Sequence, residues 1–215
     1  MATYTWISMW TRTRRLSTQS LYRRYICSNH VPTSMLSTLI GKKKITEAAL
    51  ARALTSGTIQ AAESSFQEVL AHMRTCPHFI TEPVISDGHD SPFILAVMTY
   101  NIAQIPLHFN SGQDKRVAQE VLHEFADSTS ADFMSISLMV KDCKDMMKRL
   151  NRPSKNLYYG LARYIFHSYG LNAHQQPHFK ELNAPNPLFL KEMDRMLEPL
   201  VWDWEMILHE FKLST

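Results

Sequence analysis

The sequence predicts an all-α protein: a short array of helical hairpins, α-solenoid-like, ending in an irregular C-terminal helix. Three observations carry that expectation. Apolar residues recur at helical spacing in successive segments from Thr46 onward. No stretch shows the apolar–polar alternation, bounded by hairpin-turn residues, of a half-buried strand. Clusters of Pro, Gly, Asn, Asp and Ser divide the periodic segments into pieces of helix length.

In chain order, residues 47–54 form a short alanine-rich helix, and the Thr-Ser-Gly run at 55–57 is expected to turn the chain into a second helix at 58–74. There Ile59, Ala62, Phe66, Val69, Leu70 and Met73 share one buried face. Residues 75–92 hold three prolines and Gly88 and read as a long loop. A third helix spans 93–107 with Pro106 near its end, and Asn110, Ser111 and Gly112 make the next turn. Residues 114–125 bury Val117, Val121, Leu122 and Phe125. A helix over 132–150 follows, with the Asp132 carboxylate suited to its positive N-terminal end and Met139, Met146, Met147 and Leu150 on apolar faces. Ser154 caps a helix through 169 that Gly170 ends. Residues 171–187 read as a loop. The last helix, 188–212, carries Leu190, Met193, Leu197, Leu200, Val201, Trp204, Ile207, Leu208 and Phe211, and Pro199 kinks or splits it. The expected division is a basic segment at 1–45, a helical-repeat domain at 46–170, a loop at 171–187 and a C-terminal helix at 188–215 packed on the array.

A chain of 215 residues can bury a core without metal or disulfide staples. At 45% hydrophobic and 20% charged it is neither a disordered nor a collagen-like composition. No apolar run approaches the roughly 20 residues of a transmembrane helix. Cys27, Cys76 and Cys143 are odd in number and scattered, which suits a reducing compartment and gives no disulfide framework. The net charge of +3 hides an asymmetry. Residues 1–46 carry eight basic residues and no acid, a formal +8, while the remainder holds 15 basic and 20 acidic residues, a formal −5.

The basic head reads as an address. Residues 1–30 are rich in Ser, Thr and Arg, lack acids, and include Trp6, Ile7, Met9, Trp10, Leu16, Leu21 and Tyr22, the composition of an amphipathic mitochondrial presequence. Arg12, Arg14 and Arg15 interrupt the continuous apolar core that a secretory signal needs. Arg23-Arg24-Tyr25 before Ile26 resembles a matrix-processing site, and a second trimming site before Lys42 is equally open. The expected location is the mitochondrial matrix. The alternative is a disordered basic arm that binds RNA or lipid by charge alone.

Within the body, Met98-Thr99-Tyr100-Asn101 matches Met134-Ser135-Ile136-Ser137 at an offset of 36 residues. Between them lie Gly112, Ala118, Val121, Leu122, Glu124 and Phe125, then Ala131-Asp132. This pattern resembles the pentatricopeptide repeat, over roughly 47–170 and best over 97–132. Ala131 stands where the family has Pro, the Asn101-to-Asp132 spacing is one residue longer, and the 75–92 loop exceeds a regular array. The resemblance implies an organellar protein that binds single-stranded RNA, with base-reading roles on Asn101, Asp132 and Ser137. It also implies a preference for uracil from the Asn–Asp pairing.

Other constellations point to less. His72 and Cys76 share a helix face and His78 follows, yet Pro77 ends that helix and no fourth ligand has an obvious spacing, so no metal site or cofactor is expected. His174 and His178 read as a polar loop, and Asp203 and Glu205 point to different sides of a helix. Cys143, among Met139, Met146 and Met147, reads as a buried thiol. Tyr158, Tyr159, Arg163, Tyr164 and Tyr169 form a basic-aromatic cluster that packs, with base stacking as the alternative role. No phosphate-binding glycine loop, zinc-protease motif or nucleophile elbow occurs, so no catalytic residue is expected. The expected function is RNA-associated, in processing, stability or translation of organellar transcripts. The alternative is a protein-binding adaptor such as a respiratory-complex assembly factor or mitoribosome-associated protein.

Overall fold

A computed structural model of the chain describes residues 42–152 and 157–214. The presequence features at 1–41 and the expected Ser154 cap lie outside the described residues.

Helix α1 (Glu47–Thr75) begins where Thr46, in extended backbone, accepts a hydrogen bond from the Ala49 N–H at 3.1 Å. It then runs for 29 residues straight through the turn expected at 55–57. The hydroxyls in that stretch are satisfied by the helix itself: Ser56 donates to the Arg52 carbonyl and Thr58 to the Leu54 carbonyl, both at 2.7 Å. Gly57 costs the helix about 1 kcal/mol. Burial of Leu54 and Ala62 on either side of it outweighs that cost.

Helix α2 (Ser91–His108) starts with Pro92 in its first turn, where the missing N–H costs nothing. Every residue from Ala96 to Ile102 is buried, as are Phe93, Ile94 and Ile105. A helix that is apolar all round belongs inside. It is packed by α1, by α3 (Gln113–Thr129), by α4 (Phe133–Leu150) and by α5 (Leu157–Ser168). Short connections make α2 to α3 and α3 to α4 consecutive neighbours. Asp132 caps α4, its Oδ2 accepting the Ser135 N–H at 2.9 Å. Gly160 of α5 lets that helix approach α4 closely: an added Cβ there would lie 2.6 Å from the Met147 carbonyl oxygen. Gly170, at φ +65°, follows α5, as its place in the sequence predicts.

The expected 171–187 loop contains a 3₁₀ turn (Leu171–His174) and the short helix α6 (Pro177–Glu181). The last helix is split at Pro199, as expected, into α7 (Pro187–Leu197), a 3₁₀ turn (Glu198–Leu200) and α8 (Trp204–Glu210). The all-α class holds, with one small departure. Lys43–Thr46 forms β1 and Phe211–Ser214 forms β2, parallel, with Lys43 opposite Phe211 and Ile45 opposite Leu213. Residues 43–45 therefore belong to the folded body rather than the basic head, and the final residues leave the helix expected there. The Lys42 Nζ donation to the Leu208 carbonyl at 2.5 Å reinforces this clasp. Phe66, Phe93, Met98, Met147, Phe166 and Phe189 are among the largest fully buried side chains of the core.

Candidate functional site

The three residues expected to read RNA have different fates. Asn101 does not reach a surface: it is 0% exposed, in the middle of α2. Its Nδ2 donates to the Leu200 carbonyl at 2.9 Å, and its Oδ1 accepts the Trp202 N–H at 3.0 Å. Both ends of the amide thus satisfy backbone groups that Pro199 has freed from helix, which is why an amide sits in an apolar helix. The base-reading role is corrected accordingly: this side chain pins residues 200–202 to the core. The Ser137 hydroxyl is also buried. Asp132 is exposed, with one carboxylate oxygen engaged as the cap of α4 and bonded also to the Ser135 hydroxyl at 3.1 Å.

Cys143 is buried, as the sequence suggests, and burial pushes its thiol up to about 11. It is an unreactive thiol.

The basic-aromatic cluster divides. Tyr169 packs into the core, its hydroxyl donating to the His89 carbonyl at 2.6 Å. Burial raises the Tyr164 hydroxyl well above the usual phenol range. Tyr158, Tyr159 and Arg163 instead line a cleft of about 640 Å³ between α5 and α7, faced by Lys191, Asp194 and Arg195. Tyr158 donates to the Asp194 carbonyl, and Arg163 Nη1 donates to the Leu150 carbonyl at 2.9 Å. Burial also raises the Asp194 carboxyl and, with Asp194 and Glu198 nearby, the Tyr158 hydroxyl. The cleft mixes cations, acids and rings, and among its described lining residues none is a nucleophile beside an activating base. Its α7 wall, Lys191 and Arg195, depends on how α7 docks against α5 and leaves no local mark in the sequence.

A second surface lies on α4. Its buried side is Ile136, Val140, Cys143 and Met147. Away from that side Met134 is 70% exposed and Leu138 57%, while Met139 at 47% and Met146 at 39% flank the buried face. Met139 and Met146, expected on apolar faces, thus face water, and only Met147 of the three enters the core. The sequence signal was Met134 and Leu138, four residues apart on the side away from the buried face, where one apolar face is enough to anchor a helix. Among these apolar side chains stand the exposed Lys141, Asp142, Asp145, Lys148 and Arg149.

His72, Cys76 and Glu192 form the remaining cluster, with one ligand atom of each within 4.8 Å of the others. Burial lowers the His72 imidazole below its ordinary value and raises the Cys76 thiol. No helix among the described residues is long and apolar enough to cross a membrane. No protein-family model, curated protein or solved structure significantly matches the chain.

Proposed function

We propose that the chain acts by binding protein: a helical adaptor of the mitochondrial matrix, serving a respiratory-complex assembly or the mitoribosome. The outward face of α4 carries the reading. Four large apolar side chains, three of them methionines, are exposed on a helix already anchored by Ile136, Val140, Cys143 and Met147. Flexible methionine side chains mould to a partner's surface, and exposed apolar side chains gain free energy when covered. With Lys42, Lys43 and Lys44 in the clasp, the folded body from residue 42 onward holds 18 basic and 20 acidic residues, a formal −2 that supplies no net attraction to phosphate, on which most nucleic-acid affinity depends. The matrix location rests on the composition of residues 1–30.

The test is a charge placed on that outward face. Leu138→Glu with Met134→Glu should leave the fold intact and abolish co-purification of a nuclease-resistant partner complex. Retention of that partner by the double variant sinks the proposal.

A second reading is RNA association. Arg163, Lys191 and Arg195 beside Tyr159 in the α5–α7 cleft favour it, since a guanidinium and a ring together can hold a phosphate and stack a base. RNA crosslinking that falls steeply with salt and is lost on Arg163→Ala with Arg195→Ala would favour this reading over the first.

A further inference from the structure

We propose that His72, Cys76 and Glu192 form a zinc site that ties the C-terminal helix α7 to the end of α1. His72 lies in the last turn of α1 and Cys76 is its C-cap, so the two share one face although Pro77 stops the helix directly afterwards. The ligand missing from that local pair arrives from far along the chain, when α7 lays Glu192 against the end of α1.

The spacing suits a tetrahedral ion. Bonds of roughly 2.0–2.3 Å put ligand atoms about 3.3–3.8 Å apart. His72 Nε2 and Glu192 Oε2 already stand 3.6 Å apart, too long for a hydrogen bond and right for one edge of that tetrahedron. All three ligand atoms lie within 4.8 Å, so the other edges close with side-chain rotation of about 1 Å or less. Glu192, with its side chain 43% exposed, has the freedom to make that adjustment.

His72 is held for the role. Its ring stacks on the fully buried Phe189 at 5.5 Å and 12°, one turn before Glu192 on α7. Its Nε2 is nonetheless buried with no hydrogen-bond partner among the described residues. A bound ion accounts for such an orphaned ring nitrogen beside a thiol and a carboxylate.

The donor set selects the ion. Sulfur and imidazole nitrogen suit a borderline-soft zinc and exclude magnesium or calcium. On binding, the Cys76 thiol gives its proton to solvent. Thiolate and carboxylate then balance the two positive charges of zinc, so a half-buried site carries no net charge. The His78 backbone N–H bonds Cys76, and three protein ligands leave the fourth corner to water.

The test uses the full chain stripped with a chelator and then given Co²⁺ or Zn²⁺ alone. One cobalt per chain should bind with a cobalt–thiolate charge-transfer band and the strong visible bands of a tetrahedral centre. Zinc in hundredfold excess over its dissociation constant should raise the thermal midpoint by about 5–10 °C. Cys76→Ser should lose the charge-transfer band, and Glu192→Gln should weaken binding at least about tenfold. The Glu192 carboxylate is partly exposed, so this second variant keeps the metal-free melting point of the parent. Absence of the band in the parent chain, its persistence in Cys76→Ser, or parental affinity in Glu192→Gln would each overturn the assignment.

Discussion

Replacing Asn101 with Ala separates a structural amide from an RNA-reading one. The side chain joins α2 to residues 200–202 through two buried hydrogen bonds, of 2.9 and 3.0 Å. Alanine strands the Leu200 carbonyl and the Trp202 N–H at once. An unsatisfied buried group costs about 1–3 kcal/mol, and partial access of water to two such groups leaves a loss of roughly 2–5 kcal/mol. At about 2–4 °C per kcal/mol for a chain of this size, the thermal midpoint falls by roughly 5–15 °C. Urea denaturation followed by far-ultraviolet circular dichroism reads the first quantity, and a thermal melt reads the second. Trp202 fluorescence should change in the native baseline, because its indole Nε1 donates to Thr58 Oγ1 in the same cluster at 2.5 Å. A base-reading residue at a surface predicts the opposite: stability within about 0.5 kcal/mol of the parent. That small a change in Asn101→Ala would refute the reasoning.

Three further outcomes follow from the packing and the charges. Gly160→Ala drives a methyl to 2.6 Å from the Met147 carbonyl oxygen, so α4 and α5 must separate, at a cost of about 1–3 kcal/mol in denaturant unfolding. Thr58→Val keeps the shape of the side chain but leaves the Trp202 indole N–H unpaired inside the core, lowering stability by about 1–3 kcal/mol in the same assay. Hydrogen bonding to Arg116 holds the Glu47 carboxyl below the usual carboxylate range. A carboxyl depressed in the folded state adds stability that is present above its unfolded value and lost as pH falls through the folded one. Stability should therefore drop below about pH 4.5, and Arg116→Ala should flatten that acid limb; an unchanged limb would contradict the pairing.

The helices were legible because their evidence is local. Ile59 to Met73 keep one face over several turns, and Pro199 splits the last helix wherever the rest of the chain goes. The turn expected at 55–57 failed because Thr, Ser and Gly also tolerate a helix when their hydroxyls bond back to it and flanking residues are buried. The β1–β2 clasp was illegible for a different reason. Lys-Lys-Ile-Thr and Phe-Lys-Leu-Ser are four residues each and pair across nearly the whole body, too short for any alternation to mark them against a helical background. Asn101 looked like a surface amide by its resemblance to a repeat, but its own neighbourhood argued otherwise: residues 93–102 are apolar all round, and an amide there has only the interior to bond. Glu192 shows the same limit at the metal cluster. The pair of His72 and Cys76 is visible as i and i+4, whereas the third ligand depends on how α7 docks.

The adaptor reading is tested most directly by crosslinking the tagged chain in cells, beside its Met134→Glu, Leu138→Glu variant, and reading protein and RNA from the same preparation after nuclease treatment. The account predicts one defined protein complex with the parent chain, its loss with the variant, and no RNA footprint above background in either. A discrete RNA footprint that survives in the variant, with no protein complex lost, would contradict it.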